Sequence, residues 1–263
     1  MQFKINQMPD MKLRSREEII DEIAILISMH KRGLLGGDVM PEDARPKEID
    51  VSSRDNFHFL TLPMALNYQR NSYTLWKAAA ITFLDQSTVD IFDPRKVVLM
   101  DISEVREKLT KHKLALQPNK HIDTWMRIST AINKLSNGDI RELFKVNDLD
   151  VIKLRKCIQV DNKKDFPYLS GSKIFNYWLY VMGEYTPLKL TNRQEITIAP
   201  DTHIIQASIK LGVTSLDLDA AAINREIVSN EWNELLRGTG MLPIDIHTPL
   251  WLWSRAGFPD LAK

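Results

Sequence analysis

The chain has 263 residues, of which 44% are hydrophobic and 26% are charged, as in ordinary globular proteins with ample core. Its formal net charge of +1 gives no support to nucleic-acid binding, although a local basic patch can be offset by acids elsewhere. The single cysteine, Cys157, excludes an internal disulfide and a four-cysteine metal or iron–sulfur site. No apolar run reaches about eighteen residues and the first residues lack a signal-peptide pattern, so we expect a cytoplasmic protein without a membrane span.

Apolar residues recur mostly at helical spacing, and the predicted elements are therefore helices. The first begins at the run Ser15-Arg16-Glu17-Glu18, which has the pattern of a capping box, and Gly33 can end it. The segment 36–51 contains two prolines and a Gly-Gly pair, which predicts a loop. Later helices are predicted at 57–69, 72–85, 103–113, 122–135, 139–144, 148–160, 172–185, 201–211, 215–237 and 245–255. A single β-prone run at 196–198 makes no sheet, so the predicted fold class is all-α.

Two segments on consecutive predicted helices offer a lysine and a carboxylate. Ser170-Gly171-Ser172-Lys173 opens the helix 172–185, and Ala199-Pro200-Asp201-Thr202-His203 opens the next. A lysine amine beside a carboxylate can attack an electrophilic carbon and form a Schiff base. The positive end of the helix dipole favours the neutral, nucleophilic form of Lys173. The simpler alternatives are that Lys173 is a solvated surface residue and that Asp201 is a helix N-cap.

The turn before Lys173 also has features of a phosphate site. Gly171 has no side chain, so a phosphate can approach its backbone N–H, and the N–H groups from Ser172 onward add partial positive charge. Basic residues flank this turn, and they are Lys153, Arg155, Lys156, Lys163 and Lys164. The alternative is that these side chains form an ordinary solvated face.

With these residues in place, the chain resembles the helix-hairpin-helix DNA glycosylase superfamily and, within it, the archaeal 8-oxoguanine DNA glycosylase family. Three segments carry the resemblance: the lysine-bearing run 173–177, the aspartate-bearing turn 198–201 and the tryptophan segment 242–255. A weaker likeness joins 65–69 to Trp76. The resemblance covers roughly 57–255 in patches, and residues 1–56 lie outside it.

The resemblance implies an all-α fold with two helical lobes and an active site in the cleft between them. In this scheme residues 1–56 are an N-terminal helix and loop, and 57–263 form the glycosylase-like domain. The helix-hairpin-helix occupies about 148–185, and the helices within 201–255 return to the cleft.

The resemblance also implies residue roles. Lys173 would attack C1′ of the damaged nucleotide and form the Schiff base, while Asp201 would activate the lysine and stabilise the charged sugar. Tyr177 and Trp251 would stack on opposite faces of the flipped base, which must recover lost stacking energy. The groups expected to hydrogen-bond the base edges are Trp76 and Gln69. The groups expected near the DNA phosphates are Gly171, Ser172 and Lys164.

His247 departs from the family pattern, which has an acidic residue four positions before the stacking tryptophan. An ionised carboxylate only accepts hydrogen bonds, whereas a neutral histidine can donate or accept, so His247 bears on base preference. Tyr177 replaces a phenylalanine, and the connection from Lys173 to Asp201 is slightly shorter than in the family. Without the resemblance, Tyr177 and Trp251 would be read as core aromatics.

The predicted function is base-excision repair by a DNA glycosylase with β-lyase activity that removes an oxidised purine, 8-oxoguanine. The expected partner is damaged DNA, the expected state is a nucleoid-associated monomer, and no metal or organic cofactor is expected. Two alternatives remain open. One is a non-catalytic helical DNA-binding protein that uses Lys173 for phosphate, and the other is a monofunctional glycosylase in which Asp201 activates water.

Overall fold

The computed structural model describes residues 14–35, 40–68, 70–214 and 222–261, with the side chains of 222–224 excepted. This part of the chain is mostly helical, and its one β pairing is an isolated bridge between Asp150 and Thr191, so the predicted all-α class is confirmed. The α-helices are α1 Arg16–Lys31, α2 Arg54–Thr61, α3 Ser72–Leu84, α4 Pro94–Val97, α5 Ile102–Lys111, α6 Pro118–Ser136, α7 Ile140–Val146, α8 Val151–Arg155, α9 Ser172–Tyr185, α10 Thr202–Leu211, α11 Ala222–Leu236 and α12 His247–Arg255.

The chain divides into two compact units. The terminal unit comprises Met1–Gly37 with Pro200–Lys263, and the middle unit comprises Asp38–Ala199. The terminal unit therefore contains α1 and α10 to α12, and the middle unit contains α2 to α9. The boundary expected between residues 56 and 57 follows a different criterion, the extent of the resemblance, and it stays a prediction.

In the terminal unit, α1 packs against helices that are distant in sequence. The capping box predicted at Ser15 is confirmed, because the Ser15 hydroxyl accepts from the Glu18 N–H and the Glu18 carboxylate accepts from the Ser15 N–H. The Arg16 guanidinium donates to the carbonyls of Leu235 at 3.0 Å and Arg237 at 2.7 Å, at the C-terminal end of α11. The apolar side chains that α1 buries are Ile19, Ile23, Leu26 and Met29.

In the middle unit, α9 carries the candidate lysine and contacts α2 and α7. The Trp178 indole N–H donates to the Thr61 hydroxyl at 2.9 Å, and its ring packs at 5.1 Å on Phe144. The Asn56 amide donates to the Tyr185 carbonyl at 2.9 Å and so ties α2 to the end of α9. The buried positions of α9 are Ile174, Phe175, Asn176, Trp178, Leu179, Val181 and Met182.

The predicted helix 57–69 is wrong in extent. It consists of α2, which ends at Thr61, and a separate 3-10 turn, Pro63–Leu66. Pro63 has no backbone N–H and its ring clashes with the carbonyl four residues earlier, so it ends the α-helix and begins the turn. The predicted loop 36–51 likewise contains a 3-10 turn, Pro41–Ala44, which begins at a proline.

The helix predicted at 148–160 begins later and ends with a wider turn. Asp150 caps α8 by accepting from the N–H groups of Ile152 and Lys153, and the chain then continues as a π-helical segment, Lys156–Asp161.

The β-prone run 196–198 lies in the connection between α9 and α10 and forms no strand within the described structure. Part of the helix predicted at 215–237, residues 215–221, lies outside the described residues. None of the described helices is long and apolar enough to cross a bilayer.

Replacing Asn56 with alanine should lower the free energy of unfolding by about 2 kcal/mol. Asn56 is fully buried, and its amide donates to the carbonyls of Val51 and Tyr185, both at 2.9 Å. Urea denaturation of Asn56→Ala measures the loss, and Asn119→Ala, on an exposed position of α6, is the matched control. Equal midpoints for the two variants would contradict this account of how α2 holds α9.

Candidate functional site

Asp201 combines a capping role with a contact to a second predicted site residue. It is the N-cap of α10, where Oδ1 accepts from the backbone N–H of Ile204 at 3.0 Å. Its other oxygen, Oδ2, accepts from the indole N–H of Trp251 at 3.1 Å. The helix-cap alternative is therefore confirmed. Through this second bond Asp201, which the resemblance assigns to sugar chemistry, contacts Trp251, which it assigns to base stacking.

Trp251 lies on α12, where its ring contacts a histidine ring and an arginine guanidinium. Its side chain is 8% exposed, and the His203 ring meets it edge-on at 5.5 Å. The Arg255 guanidinium lies 4.9 Å from the centre of its ring, which is a cation–π distance. A base stacking on that face would have to displace the guanidinium, and the hydrogen bond to Asp201 would keep the indole in place.

His247 is the first residue of α12 and is buried. Trp251 follows it by one helical turn, so the two side chains share one side of the helix. The spacing on which the predicted role of His247 depends is thus present in the helix. A buried imidazole at this position has hydrogen-bonding capacity one helical turn before Trp251, the residue predicted to stack.

Lys173 is the second residue of α9 and is half-buried. Gly171, directly before the helix, has no side chain with which to cap it. Tyr177 follows Lys173 by one helical turn, which brings the predicted nucleophile and the predicted stacking residue to one side of α9. The predicted bounds of this helix, 172–185, are confirmed.

The backbone N–H of Gly171, which is predicted to bind a phosphate, already makes a hydrogen bond within the protein. The Gly171 N–H donates to the Tyr168 carbonyl at 2.9 Å, so a phosphate would have to displace that bond. A Cβ at Gly171 would lie 3.1 Å from the same carbonyl oxygen. This distance is shorter than Cβ atoms usually tolerate, so the position favours glycine. Ser172 and Lys164, the other two predicted phosphate contacts, are both exposed.

Most of the predicted basic cluster is neutralised by neighbouring acids. Lys153 pairs with Asp148, Lys156 with Asp161 at 2.7 Å, and Arg155 with Glu195 at 3.6 Å. Exposed ion pairs of this kind contribute little to stability, but they cancel local charge. Two exposed residues of the cluster, Lys163 and Lys164, have no acidic partner among the described residues.

Glu42 is a candidate functional residue that the sequence did not indicate. It lies in the 3-10 turn Pro41–Ala44, is 1% exposed, and accepts from the Tyr177 hydroxyl through Oε2 at 3.2 Å. The fully buried Trp76 of α3 brings its indole N–H beside the same carboxyl, which favours the ionised form. Their contact falls short of hydrogen-bond geometry, because Trp76 Nε1 and Glu42 Oε1 each make no hydrogen bond within the described structure. Two predicted base-binding residues, Trp76 and Tyr177, thus share one buried carboxyl.

The surroundings perturb the titration of this cluster. Burial raises the pKa of Glu42 to about 7, against the opposing effect of hydrogen bonds from its own backbone and from Tyr177 and of the nearby Trp76 N–H dipole. Burial also raises the pKa of Tyr177, and the adjacent Glu42 charge acts in the same direction. A carboxyl that titrates near neutral pH beside candidate binding residues has the properties of a functional group.

The sequence contained only a weak signal for Glu42. Pro41-Glu42-Asp43 has a proline followed by two acids, which is typical of the first turn of a helix. Asp43 accepts from the Tyr185 hydroxyl at 2.8 Å, so the turn binds α9 at two tyrosines. Burial by helices distant in sequence decides the role of this turn, and local composition does not reveal it.

Gln69, the remaining predicted base-binding residue, lies outside the described residues. Among the described residues, no group of three or more His, Cys, Asp or Glu side chains is arranged to hold a metal ion. No family model matches the chain, and no curated protein matches it.

Glu42→Gln should change how stability depends on pH. Between the ordinary glutamate pKa of 4.5 and about 7, the unfolded chain has lost the Glu42 proton and the folded protein retains it. The contribution of Glu42 to stability should therefore fall as pH rises through this window, by the order of 3 kcal/mol, so the unfolding free energy of the wild type relative to that of Glu42→Gln should fall by this amount. Burial lowers the pKa of His58 to about 4, which acts in the opposite direction, but it does so in both proteins and cancels in the comparison. Urea denaturation at pH 5, 6, 7 and 8 measures the difference.

The control for this experiment is Glu107→Gln, which makes the same chemical change at an exposed position of α5. It should retain the wild-type dependence of stability on pH. The same pH dependence in Glu42→Gln and Glu107→Gln would rule out the assignment of a near-neutral pKa to Glu42.

The two hydrogen bonds of Asp201 can be separated by substitution. Asp201→Ser keeps an oxygen that can cap α10 but cannot serve Trp251 as well, whereas Asp201→Ala loses both interactions. We expect Asp201→Ser to lose about 1–2 kcal/mol of unfolding free energy, and Asp201→Ala to lose about 1 kcal/mol more. Urea denaturation followed by tryptophan fluorescence gives both values. Wild-type stability in Asp201→Ser would show that the bond to Trp251 contributes nothing.

Proposed function

We propose that this protein is a base-excision repair enzyme, a DNA glycosylase with β-lyase activity that removes an oxidised purine, 8-oxoguanine, through a Schiff base on Lys173. The observation that carries the proposal is the hydrogen bond from Trp251 to Asp201, at 3.1 Å. It joins a carboxylate and an aromatic ring to which the family resemblance gives complementary tasks. The position of Lys173 one turn before Tyr177 on α9 gives further support.

The proposed reaction begins with attack of the neutral Lys173 amine on C1′ of the damaged nucleotide. The C1′–N bond breaks, its electron pair leaves with the base, and the base takes up a proton. The amine loses a proton as the sugar ring opens to the Schiff base, and β-elimination then expels the 3′ phosphate. An ionised carboxylate has about four lone-pair sites, so Asp201 can accept its two present hydrogen bonds and still receive a proton or stabilise the cationic sugar.

In this proposal the extruded base is held by stacking and by hydrogen bonds. Trp251 and Tyr177 supply aromatic surface, which offsets the few kcal/mol lost when a base leaves the duplex. The hydroxyl of Tyr177 is held by Glu42, which limits rotation of its ring. His247 and Trp76 add polar groups, and the choice between an acceptor and a donor at His247 would bear on the lesion that is accepted.

In this proposal the partner is damaged DNA and the enzyme acts as a monomer at the nucleoid, with no metal or organic cofactor. The exposed groups Lys163, Lys164 and Ser172 are the ones proposed to contact DNA phosphates. Because neighbouring acids neutralise the other basic residues of the cluster, we expect few phosphate contacts on this side of α9.

Borohydride trapping on duplex DNA containing 8-oxoguanine tests the proposed chemistry. Wild-type protein should form a covalent protein–DNA adduct on reduction, because borohydride reduces the Schiff base to a stable amine. Lys173→Gln should form none. Lys189→Gln, at an exposed lysine of the same unit, should form as much adduct as the wild type.

The other outcomes favour the two alternatives. Tight, salt-sensitive binding without an adduct on any lesion of a panel would replace the enzyme with a non-catalytic DNA-binding protein. Release of the free base without an adduct would replace the lysine mechanism with a monofunctional one in which Asp201 activates water.

A further inference from the structure

Two tyrosine rings, one exposed and one half-buried, lie in contact in the middle unit at the turn that precedes Lys173. The rings of Tyr68 and Tyr168 are 5.2 Å apart between centroids and tilted by 30°. Tyr68 is 47% exposed, and it is the only aromatic among the large exposed hydrophobic side chains of the described residues. Because the Tyr168 ring lies against one side of the Tyr68 ring, the exposed surface of Tyr68 is on the remaining parts of its side chain.

The turn holds Tyr168 in an unusual conformation. Its φ of 61° lies in the left-handed region, which a bulky aromatic residue rarely adopts. The Gly171 N–H donates to its carbonyl at 2.9 Å, and the completely buried Phe166 and Leu169 anchor the turn on both sides of it. Strained backbone that the surrounding structure enforces is concentrated at functional positions. Here the strain accompanies the contact of the Tyr168 ring with Tyr68.

The charges around the pair favour a nucleic acid as its occupant. Lys163 and Lys164 are exposed on the same turn and have no acidic partner among the described residues. The turn also carries two acids, of which Asp161 pairs with Lys156 and Asp165 is exposed, so the two lysines outnumber the one remaining carboxylate. The N-terminal end of α9, which has no side-chain cap, follows directly after the turn and carries partial positive charge. Aromatic rings next to cationic groups are the combination with which proteins bind unpaired nucleotides, because every base has a face that can stack.

We propose that Tyr68, backed by Tyr168, is a stacking platform for an unpaired DNA base, and that Lys163 and Lys164 contact the phosphates of the same strand. The identity of the DNA as a damaged substrate rests on the proposed function, whereas the stacking itself does not. When a nucleotide is extruded from a duplex, its neighbours lose a stacking partner and the opposite base loses its pairing partner, and an aromatic ring can stack on either of them. Tyr168 would preorganise the platform by holding the Tyr68 ring in place.

Fluorescence with 2-aminopurine tests the platform directly. The probe is placed beside and opposite an uncleavable tetrahydrofuran abasic site in a duplex, and in a single strand of the same sequence. Wild-type protein should quench the 2-aminopurine, since stacking on a tyrosine ring quenches it, and Tyr68→Phe should do the same because it keeps the ring. Tyr68→Ala should lose the quenching and bind roughly ten-fold more weakly.

Three further variants serve as a control and separate stacking from charge. Leu99→Ala, at the exposed start of the α4–α5 connection, should bind and quench as the wild type does. Lys163→Gln and Lys164→Gln should each reduce the slope of log affinity against log salt by about 0.7–0.9 while leaving the quenching in place. Tyr68→Ala should leave this slope unchanged.

Absence of quenching by the wild type at every probe position, or wild-type binding and quenching by Tyr68→Ala, would overturn the platform. Equal loss in Tyr68→Phe and Tyr68→Ala would also overturn it, because the hydroxyl and not the ring would then be responsible. Borohydride trapping keeps this result distinct from that of the proposed function. Quenching without any covalent adduct would leave the platform and remove the lysine chemistry, and an adduct without quenching would do the reverse.

Discussion

The position of Lys173 depends on how firmly α9 is fixed about its own axis. Successive residues of a helix are rotated by about 100°, so a shift of α9 by one residue would move the lysine to another face. Burial of apolar side chains holds the helix against the core but specifies its rotation poorly. Polar bonds specify it better, because the Trp178 N–H needs the Thr61 hydroxyl and the Asn176 amide donates to Thr197 at 2.8 Å. These two bonds fix the rotation of α9 about its axis and therefore the position of the half-buried Lys173 amine.

The burial of Glu42 is the opposite case, since desolvation of its carboxyl costs stability and the one side-chain hydrogen bond that it gains, from Tyr177, offsets only part of that cost. An apolar residue in the 3-10 turn would fill the same space without the desolvation of a carboxyl. The protein instead holds a group that titrates near neutral pH against Tyr177 and Trp76. Such an arrangement is understandable if the carboxyl acts on something other than the fold, and a bound base is the occupant that our proposal supplies.

Local signals in the sequence were sufficient for individual helices and insufficient for the way in which they meet. The bounds 172–185 and the cap at Asp201 follow from Gly171, from the Pro-Asp step and from Gly212, which ends α10 in the left-handed conformation. The 57–69 prediction was wrong because apolar spacing continued across Pro63, although its ring cannot follow an uninterrupted helix. Proximity of Asp201 to Trp251 was expected only from the family resemblance, since no local pattern relates residues so far apart. Glu42 escaped prediction for a related reason, because its neighbours lie on α3 and α9.

The charge distribution determines how such a protein could hold DNA. A net charge of +1 and the ion pairs of Lys153, Arg155 and Lys156 leave little long-range attraction for a polyanion on this side of α9. Affinity would then depend more on short-range contacts, such as aromatic stacking and the exposed Lys163 and Lys164, than on counterion release at many phosphates. This balance suits an enzyme that must distinguish an extruded base from intact duplex, because backbone charge is the same in both and an accessible base face is present only in one. The aromatic residues of the two units, rather than the basic ones, would therefore provide the selectivity.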